Sequence, residues 1–512
     1  MPGSVLGPLV GALVLLAGPG PAPATPQEPS RVELRRRIDE LETELRAPKP
    51  ETRRGAVRAL AELRRREAWL LVLGALQDRD SLVGDAAQRA LGTLDDPHIV
   101  AELLGRSGLE SREPRVALRA AEALGRLPLE VDGELIARRL DGGDAELSRL
   151  LLWSLDRLIE GGRLGGRRQR IAEAVLELHR SRKAPELAAR ALVTLAALEH
   201  PDLASLAHEA AYERQVALRC AALVIARVGQ EPSLLGLPAA LAGDAEPRVR
   251  ALAIDALAAR PSRAALLTLV ERLEQEPRLG LRQRLVASLQ AATGLKHRLD
   301  ARPWRHVVER LPADWRPSPG APGQDEQHSS GSLAKGPLRI PVDSDRIAFL
   351  FDFSGSMWAP LPDGRTPKEL VAVRLREALA TLTGEARFNL VPYAYDPLPW
   401  RDALVDAEPA QVREALDFFE RCNAHGKGNV YDAARLALAD PQVDRIVVLT
   451  DGVPTGGVFS DLELVVELLG EHALLRGVAF DAVLVDAPGT RARLWRALAQ
   501  RTGGRVTEVG LE

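Results

Sequence analysis

Two architectures in series are predicted for this chain: an all-α helical solenoid over residues 31–300, then a doubly wound, Rossmann-like α/β domain over 341–512. Three observations carry that prediction. An Ala-Leu step recurs on helical segments at Ala59-Leu60, Ala90-Leu91, Ala123-Leu124, Ala191-Leu192, Ala222-Leu223 and Ala256-Leu257, with gaps of 31, 33, 68, 31 and 34 residues. From residue 345 the rhythm changes to short apolar runs alternating with amphipathic helices. Between the two, residues 316–339 are rich in Pro, Gly, Ser and Gln and lack apolar periodicity. A length of 512 residues also exceeds what one core accommodates.

The solenoid segments open with Pro or an acidic residue, as at Pro50, Pro114, Pro185 and Pro247. A gap of 68 is two repeats with one degenerate copy between them. One helix pair cannot bury its own apolar stripe, so neighbours stack, and small Ala permits close approach. The segments Glu113-Pro114-Arg115-Val116-Ala117-Leu118-Arg119-Ala120-Ala121 and Glu246-Pro247-Arg248-Val249-Arg250-Ala251-Leu252-Ala253 resemble HEAT repeats. Such arrays present an elongated surface to protein partners. The Arg runs at 35–37 and 64–66 lie near Asp39, Glu42, Glu62 and Glu67 and read as solvated helix faces. Residues 301–340 are expected to hold a cap containing Trp304 and Trp315, then a flexible linker.

Composition narrows the function classes. A net charge of −3 gives no bulk attraction to nucleic acid, and no nucleic-acid partner is expected. Cys220 and Cys422 fall in different domains, which excludes a disulfide framework, and neither has metal-binding spacing. At the N-terminus, Val5 to Gly18 is a mostly apolar run too short to span a bilayer comfortably. Ala22-Pro23-Ala24 fits a small-x-small cleavage site, so residues 1–24 read as a signal peptide although no Lys or Arg precedes the run. The expected location is periplasmic or extracellular, with no integral membrane segment after cleavage.

In the C-terminal part, Ile347 to Phe351 and Ile446 to Leu449 are continuous apolar runs, as strands buried on both faces should be. Alternation with helices implies a mainly parallel sheet, whose ligands lie beyond the carboxyl ends of the strands. Two polar clusters fall there: Asp352-Phe353-Ser354-Gly355-Ser356 and Thr450-Asp451-Gly452-Val453-Pro454-Thr455. Their oxygen ligands suit Mg²⁺, with Ca²⁺ or Mn²⁺ as alternatives, rather than Zn²⁺.

The strand entering DFSGSM (352–357), the GNVYDA segment (428–433) and the strand entering LTDGVPTGG (449–457) together resemble the von Willebrand factor A family. That resemblance implies a metal-ion-dependent adhesion site, or MIDAS. Ser354 and Ser356 would then offer hydroxyl oxygens directly, while Asp352 and Asp451 would act largely through bound waters. The family's middle segment usually carries Thr where this chain has Gly428, and Asn429 is the candidate substitute through its side-chain carbonyl. Lys427 would bring a positive charge into a loop facing the cation. A protein ligand would complete the coordination shell with a carboxylate.

No Gly-x-Ser-x-Gly, P-loop or HExxH motif occurs, so no enzymatic activity is expected. The function implied is that of an exported bacterial protein of interaction or adhesion type. The alternative is an accessory subunit acting with an AAA+ ATPase in protein maturation, with or without bound metal.

Overall fold

Two residue types set the helix starts of the first part of the chain. Asp80, Asp144 and Asp300 each accept from a backbone amide two residues ahead, while Pro50, Pro114, Pro185 and Pro247 stand in the first turn, where no amide hydrogen is required. The computed structural model describes residues 30–317 and 340–509, apart from 141–142, 182–183, 230, 341, 343, 362–363, 383–384 and 486–488. The leader expected at 1–24 and residues 318–339 of the expected linker lie outside the described residues.

Helices of the first part stack in an inner row: α1 (Pro50–Glu62), α2 (Ser81–Leu91), α3 (Pro114–Arg126), α4 (Ala145–Glu160), α5 (Pro185–Ala197), α6 (Val216–Val228), α7 (Pro247–Ala259) and α8 (Leu279–Thr293). Outer helices such as Arg168–Ser181 and Arg263–Gln275 complete the repeats. Every Ala-Leu step lies in the inner row, and its Leu is buried each time. The long gap conceals α4, where Ser154-Leu155 stands in the same place. Ser154 fits an alanine-sized slot because its hydroxyl donates to the Ala121 carbonyl of α3 at 2.6 Å. Beyond α8, Trp304 is fully buried in the helix Ala301–Val308, which packs on Arg263–Gln275. The Arg runs at 35–37 and 64–66 are exposed, and Arg36 pairs with Glu40 one turn on.

The second part is a six-stranded sheet built from β1 (Arg346–Asp352), β2 (Arg387–Tyr393), β3 (Val405–Asp406), β4 (Arg445–Thr450), β5 (Ala479–Val485) and β6 (Val506–Val509). The strand order is β3-β2-β1-β4-β5-β6, parallel throughout except for β3. That two-residue edge strand is too short to leave a periodic signal in the sequence. Because side chains alternate across a strand, Ile347, Phe349 and Phe351 of β1 pack with α9 (Pro367–Ala380) and α10 (Pro409–Arg421). Ala348 and Leu350 join the opposite layer, formed by α11 (Val430–Ala439), α12 (Leu462–Leu474) and α13 (Gly489–Thr502). Strand order reverses between β1 and β4, which opens a crevice at their carboxyl ends.

The α11–α13 layer is enclosed on its other side by the inner row, and the apolar residues of both form one continuous cluster. Polar groups line the seam. Glu463, Glu467 and Glu471 recur at four-residue spacing along one face of α12. Glu463 accepts from Arg89 of α2 at 3.0 Å, Glu467 from the Trp153 indole of α4 at 2.9 Å, and Glu471 from Arg190 of α5 at 2.8 Å. At the head of α12, Asp85 of α2 accepts from the Ser460 amide and hydroxyl at 2.6 and 2.5 Å, and Arg89 bonds Asp461 at 2.6 Å. Farther along, Tyr431 and Arg435 of α11 bond Glu146, Arg476 bonds Glu186, and Arg284 of α8 donates to the Thr502 carbonyl at 3.1 Å. Gly477 adopts φ 63° where the Arg248 backbone presses close; a Cβ there would lie 2.3 Å from the Arg248 carbonyl oxygen.

The inner row therefore does not face a free partner, as the repeats alone suggested: it is covered by the chain's own α/β domain. Arg190, 3% exposed, is the most deeply enclosed arginine of these links, and it also bonds Asp156 at 2.6 Å. Arg190→Ala leaves two enclosed carboxylates without a counter-charge and is expected to cost about 3–5 kcal/mol. Denaturant unfolding of the whole chain measures this, and a loss well under 1 kcal/mol would show that the seam tolerates the gap.

Candidate metal centre

β1 ends by carrying Asp352 into the crevice, and β4 ends beside it with Thr450 and Asp451. The carboxylate of Asp352, 1% exposed, accepts from the Ser354 amide at 2.9 Å and from the Thr450 hydroxyl at 2.8 Å. Both donors are neutral. Burial pushes its carboxyl up to about 6, and the nearby Asp451 charge adds to the rise, while the Ser354 and Thr450 hydrogen bonds oppose it. Asp451 is half-buried and accepts from the Val453 amide at 3.2 Å. The Ser354 and Ser356 hydroxyls stand 3.2 Å apart. Ser354 is buried, whereas Gly355 and Ser356 are exposed, so the cluster opens to solvent on one side.

The middle loop joins the cluster through a parallel bridge between Ser354 and Gly426. A Cβ on Gly428 would lie 3.2 and 3.4 Å from the two Asp352 carboxylate oxygens. The position is thus aimed at the site, and its lack of a side chain withholds a hydroxyl from it. Asn429 sits alongside but is engaged elsewhere. Its Oδ1 caps α11 by accepting from the Asp432 amide at 3.3 Å, and its Nδ2 donates to the Tyr395 carbonyl at 3.0 Å.

Lys427, whose charge was expected to face the cation, points the other way. Its Nζ lies 2.5 Å from Asp80 Oδ2, on the helical array.

Three groups belong to this cluster that were not expected as site residues. Thr450 orients Asp352, as described. Thr455 accepts from the Gly428 amide at 2.7 Å and returns its own amide to the Gly428 carbonyl at 3.0 Å, fastening the middle loop to the loop after β4. Tyr393, the register partner of Asp352 on β2, has its hydroxyl in the same buried space; burial and the Asp352 charge both push that hydroxyl upward in pKa. The hydroxyls flanking Asp451 in Thr450-Asp451-Gly452-Val453-Pro454-Thr455 were the available signal for the first two.

These residues suit a hard divalent cation. Two carboxylates and two hydroxyls converge from adjacent strand ends, and no cationic side chain among the described residues pairs with Asp352. An enclosed carboxylate beside a second one lacks a counter-charge, which a divalent ion would supply. No group of three or more His, Cys, Asp and Glu side chains with metal-binding geometry occurs among the described residues, so any site here depends on hydroxyl oxygens.

Comparison with known proteins agrees with this layout. The family model for HEAT repeats matches residues 38–125, and the model for the von Willebrand factor type A domain matches 345–507. The mouse protein "Inter alpha-trypsin inhibitor, heavy chain 4" is 30% identical over 135 residues, covering 24% of this chain and 14% of its own length. The pig protein "Inter-alpha-trypsin inhibitor heavy chain H2" is 32% identical over 123 residues, covering 22% and 12%. This chain thus spans only a small fraction of these relatives. Among solved structures, BatB from Bacteroides thetaiotaomicron matches with 16% identity and a TM-score of 0.25, over 32% of this chain and 90% of that one. Residues 345–507 are a von Willebrand factor type A domain and residues 38–125 are HEAT repeats. Domains of this type commonly bind divalent cations and mediate protein–protein interaction.

The Gly428 position gives a direct test of the missing hydroxyl. Gly428→Thr is expected to tighten Mg²⁺ binding about tenfold, the worth of one added ligand-quality hydrogen-bonding oxygen. Titration calorimetry reads it; unchanged or weaker binding would place the Thr hydroxyl outside the coordination shell.

Proposed function

We propose that this chain is an exported, non-enzymatic interaction protein whose type A domain binds a protein ligand through a divalent cation. Asp352, Ser354, Ser356 and Asp451 would hold the ion, with Mg²⁺ as the expected occupant. The observation that carries this reading is the enclosed Asp352 carboxylate, held by neutral donors and set beside Asp451 at the open end of the sheet. The exposed Gly355 and Ser356 leave room for a partner's carboxylate to reach the ion from solvent. The helical array packs against the α11–α13 layer and serves as its support.

Export is supported by the apolar run Val5 to Gly18 followed by Ala22-Pro23-Ala24. Among the described residues no helix is long and apolar enough to cross a membrane.

Two measurements test the reading. Asp352→Ala is expected to abolish the heat of Mg²⁺ or Ca²⁺ titration into the full chain while its helical circular dichroism is unchanged. Absence of heat with the wild-type chain would refute cation binding. Affinity capture from the exported fraction, run with and without EDTA, should recover a partner only when divalent cations are present.

A further inference from the structure

Lys427 is the residue before Gly428, yet its ammonium is drawn out of the type A domain and onto the helical array. Asp80, the partner, is the N-cap of α2, and its two carboxylate oxygens are divided between two tasks. Oδ1 accepts from the Leu82 amide at 3.1 Å, and Oδ2 takes Lys427 Nζ at 2.5 Å. The Asp80 side chain is 11% exposed and that of Lys427 32%, so the pair is shielded on the array side and partly open on the other. The Lys427 Cα is one peptide, about 3.8 Å, from that of Gly428. The Gly428 Cβ direction, in turn, ends 3.2 Å from Asp352 Oδ1. An ammonium released from Asp80 would therefore stay tethered within Coulombic range of the cation site.

Two positive charges cannot share that range without repulsion. A free Lys427 would compete with the ion for Asp352 and Asp451, or raise the local potential against it. Paired with Asp80, the same charge is neutralised and its direction is set.

We propose that Asp80 is a positioning residue of the cation site, holding the Lys427 ammonium away from it, so that docking of the helical array is part of what makes the site competent. This rests on the cation-binding reading above. The array is then not only a support: it contributes one electrostatic element that the type A domain does not contain.

Asp80→Asn is a selective test because Asn is as good an N-cap as Asp. Its single oxygen caps α2, which leaves an amide NH₂ facing Lys427. Full-length wild type, D80N, K427M and the double variant D80N/K427M are to be titrated with Mg²⁺ in low-salt buffer and again in 0.5 M KCl. D80N is expected to bind about tenfold more weakly in low salt, with the difference shrinking in high salt as screening sets in. K427M should bind at least as tightly as wild type, and D80N/K427M should recover wild-type affinity. A D80N affinity equal to that of wild type would overturn the proposal. So would a double variant as weak as D80N, because Asp80 would then act through the fold and not through Lys427. Failure of wild type to bind Mg²⁺ at all would refute the cation site itself and the proposal with it.

Discussion

Pairing of enclosed charges along the face of α12 is the constraint on which the rest of the molecule depends. Glu463, Glu467 and Glu471 sit on a helix whose Leu464, Val465, Val466, Leu468, Leu469 and Ala473 are buried in the common apolar cluster. Glu463 stays 37% exposed beside Arg89, but Glu471, 12% exposed, is covered by the inner row and needs its partner Arg190, because an unpaired enclosed charge costs several kcal/mol. Arg89, Trp153 and Arg190 come from three different inner helices, so satisfying all three carboxylates requires a single register between the array and the domain. Apolar burial supplies the attraction between the two parts, and the polar seam selects the alignment.

That register reaches the crevice at the end of the sheet. The loops that build the Asp352 cluster are the ones that leave it to touch α2. Lys427 runs from the middle loop to Asp80, and the loop after β4 continues to Ser460 and Asp461, which Asp85 and Arg89 hold. Thr455 ties the two loops together through Gly428. The geometry at Asp352 is therefore fastened from two directions, by its own strand ends and by the first repeats of the array.

A Gly in place of the usual Thr looks in isolation like the loss of a ligand. In the structure its neighbours make up a tighter frame: Thr450 orients Asp352, Thr455 holds the Gly428 amide, and the Tyr393 hydroxyl fills the space behind. The absent side chain leaves the two Asp352 oxygens open on that side. A cation held there would have fewer protein ligands and more water, which suits an ion that keeps part of its hydration shell.

By itself the sequence determined the periodic features. The Ala-Leu step predicted the stacked inner helices because a local repeat must bury the same face in each copy, and apolar runs ending in Asp352 and Asp451 predicted adjacent strand ends because a parallel sheet collects them there. Ser154 escaped notice only because a hydroxyl took the place of a methyl and found its acceptor on the next helix. Asp352, Ser354, Ser356 and Asp451 were legible as one cluster for the same reason of order along the chain. Only the tertiary structure decided what the charged residues do. Glu463, Glu467 and Glu471 have the spacing of any solvated helix face, and Lys427 has the position of a residue facing the ion. Their partners are more than 280 residues away in sequence, as the separations of 374, 314 and 281 for Glu463–Arg89, Glu467–Trp153 and Glu471–Arg190 record, and 347 for Lys427–Asp80. Local periodicity carries no information over such distances, because which charges meet is settled by how two finished folds dock.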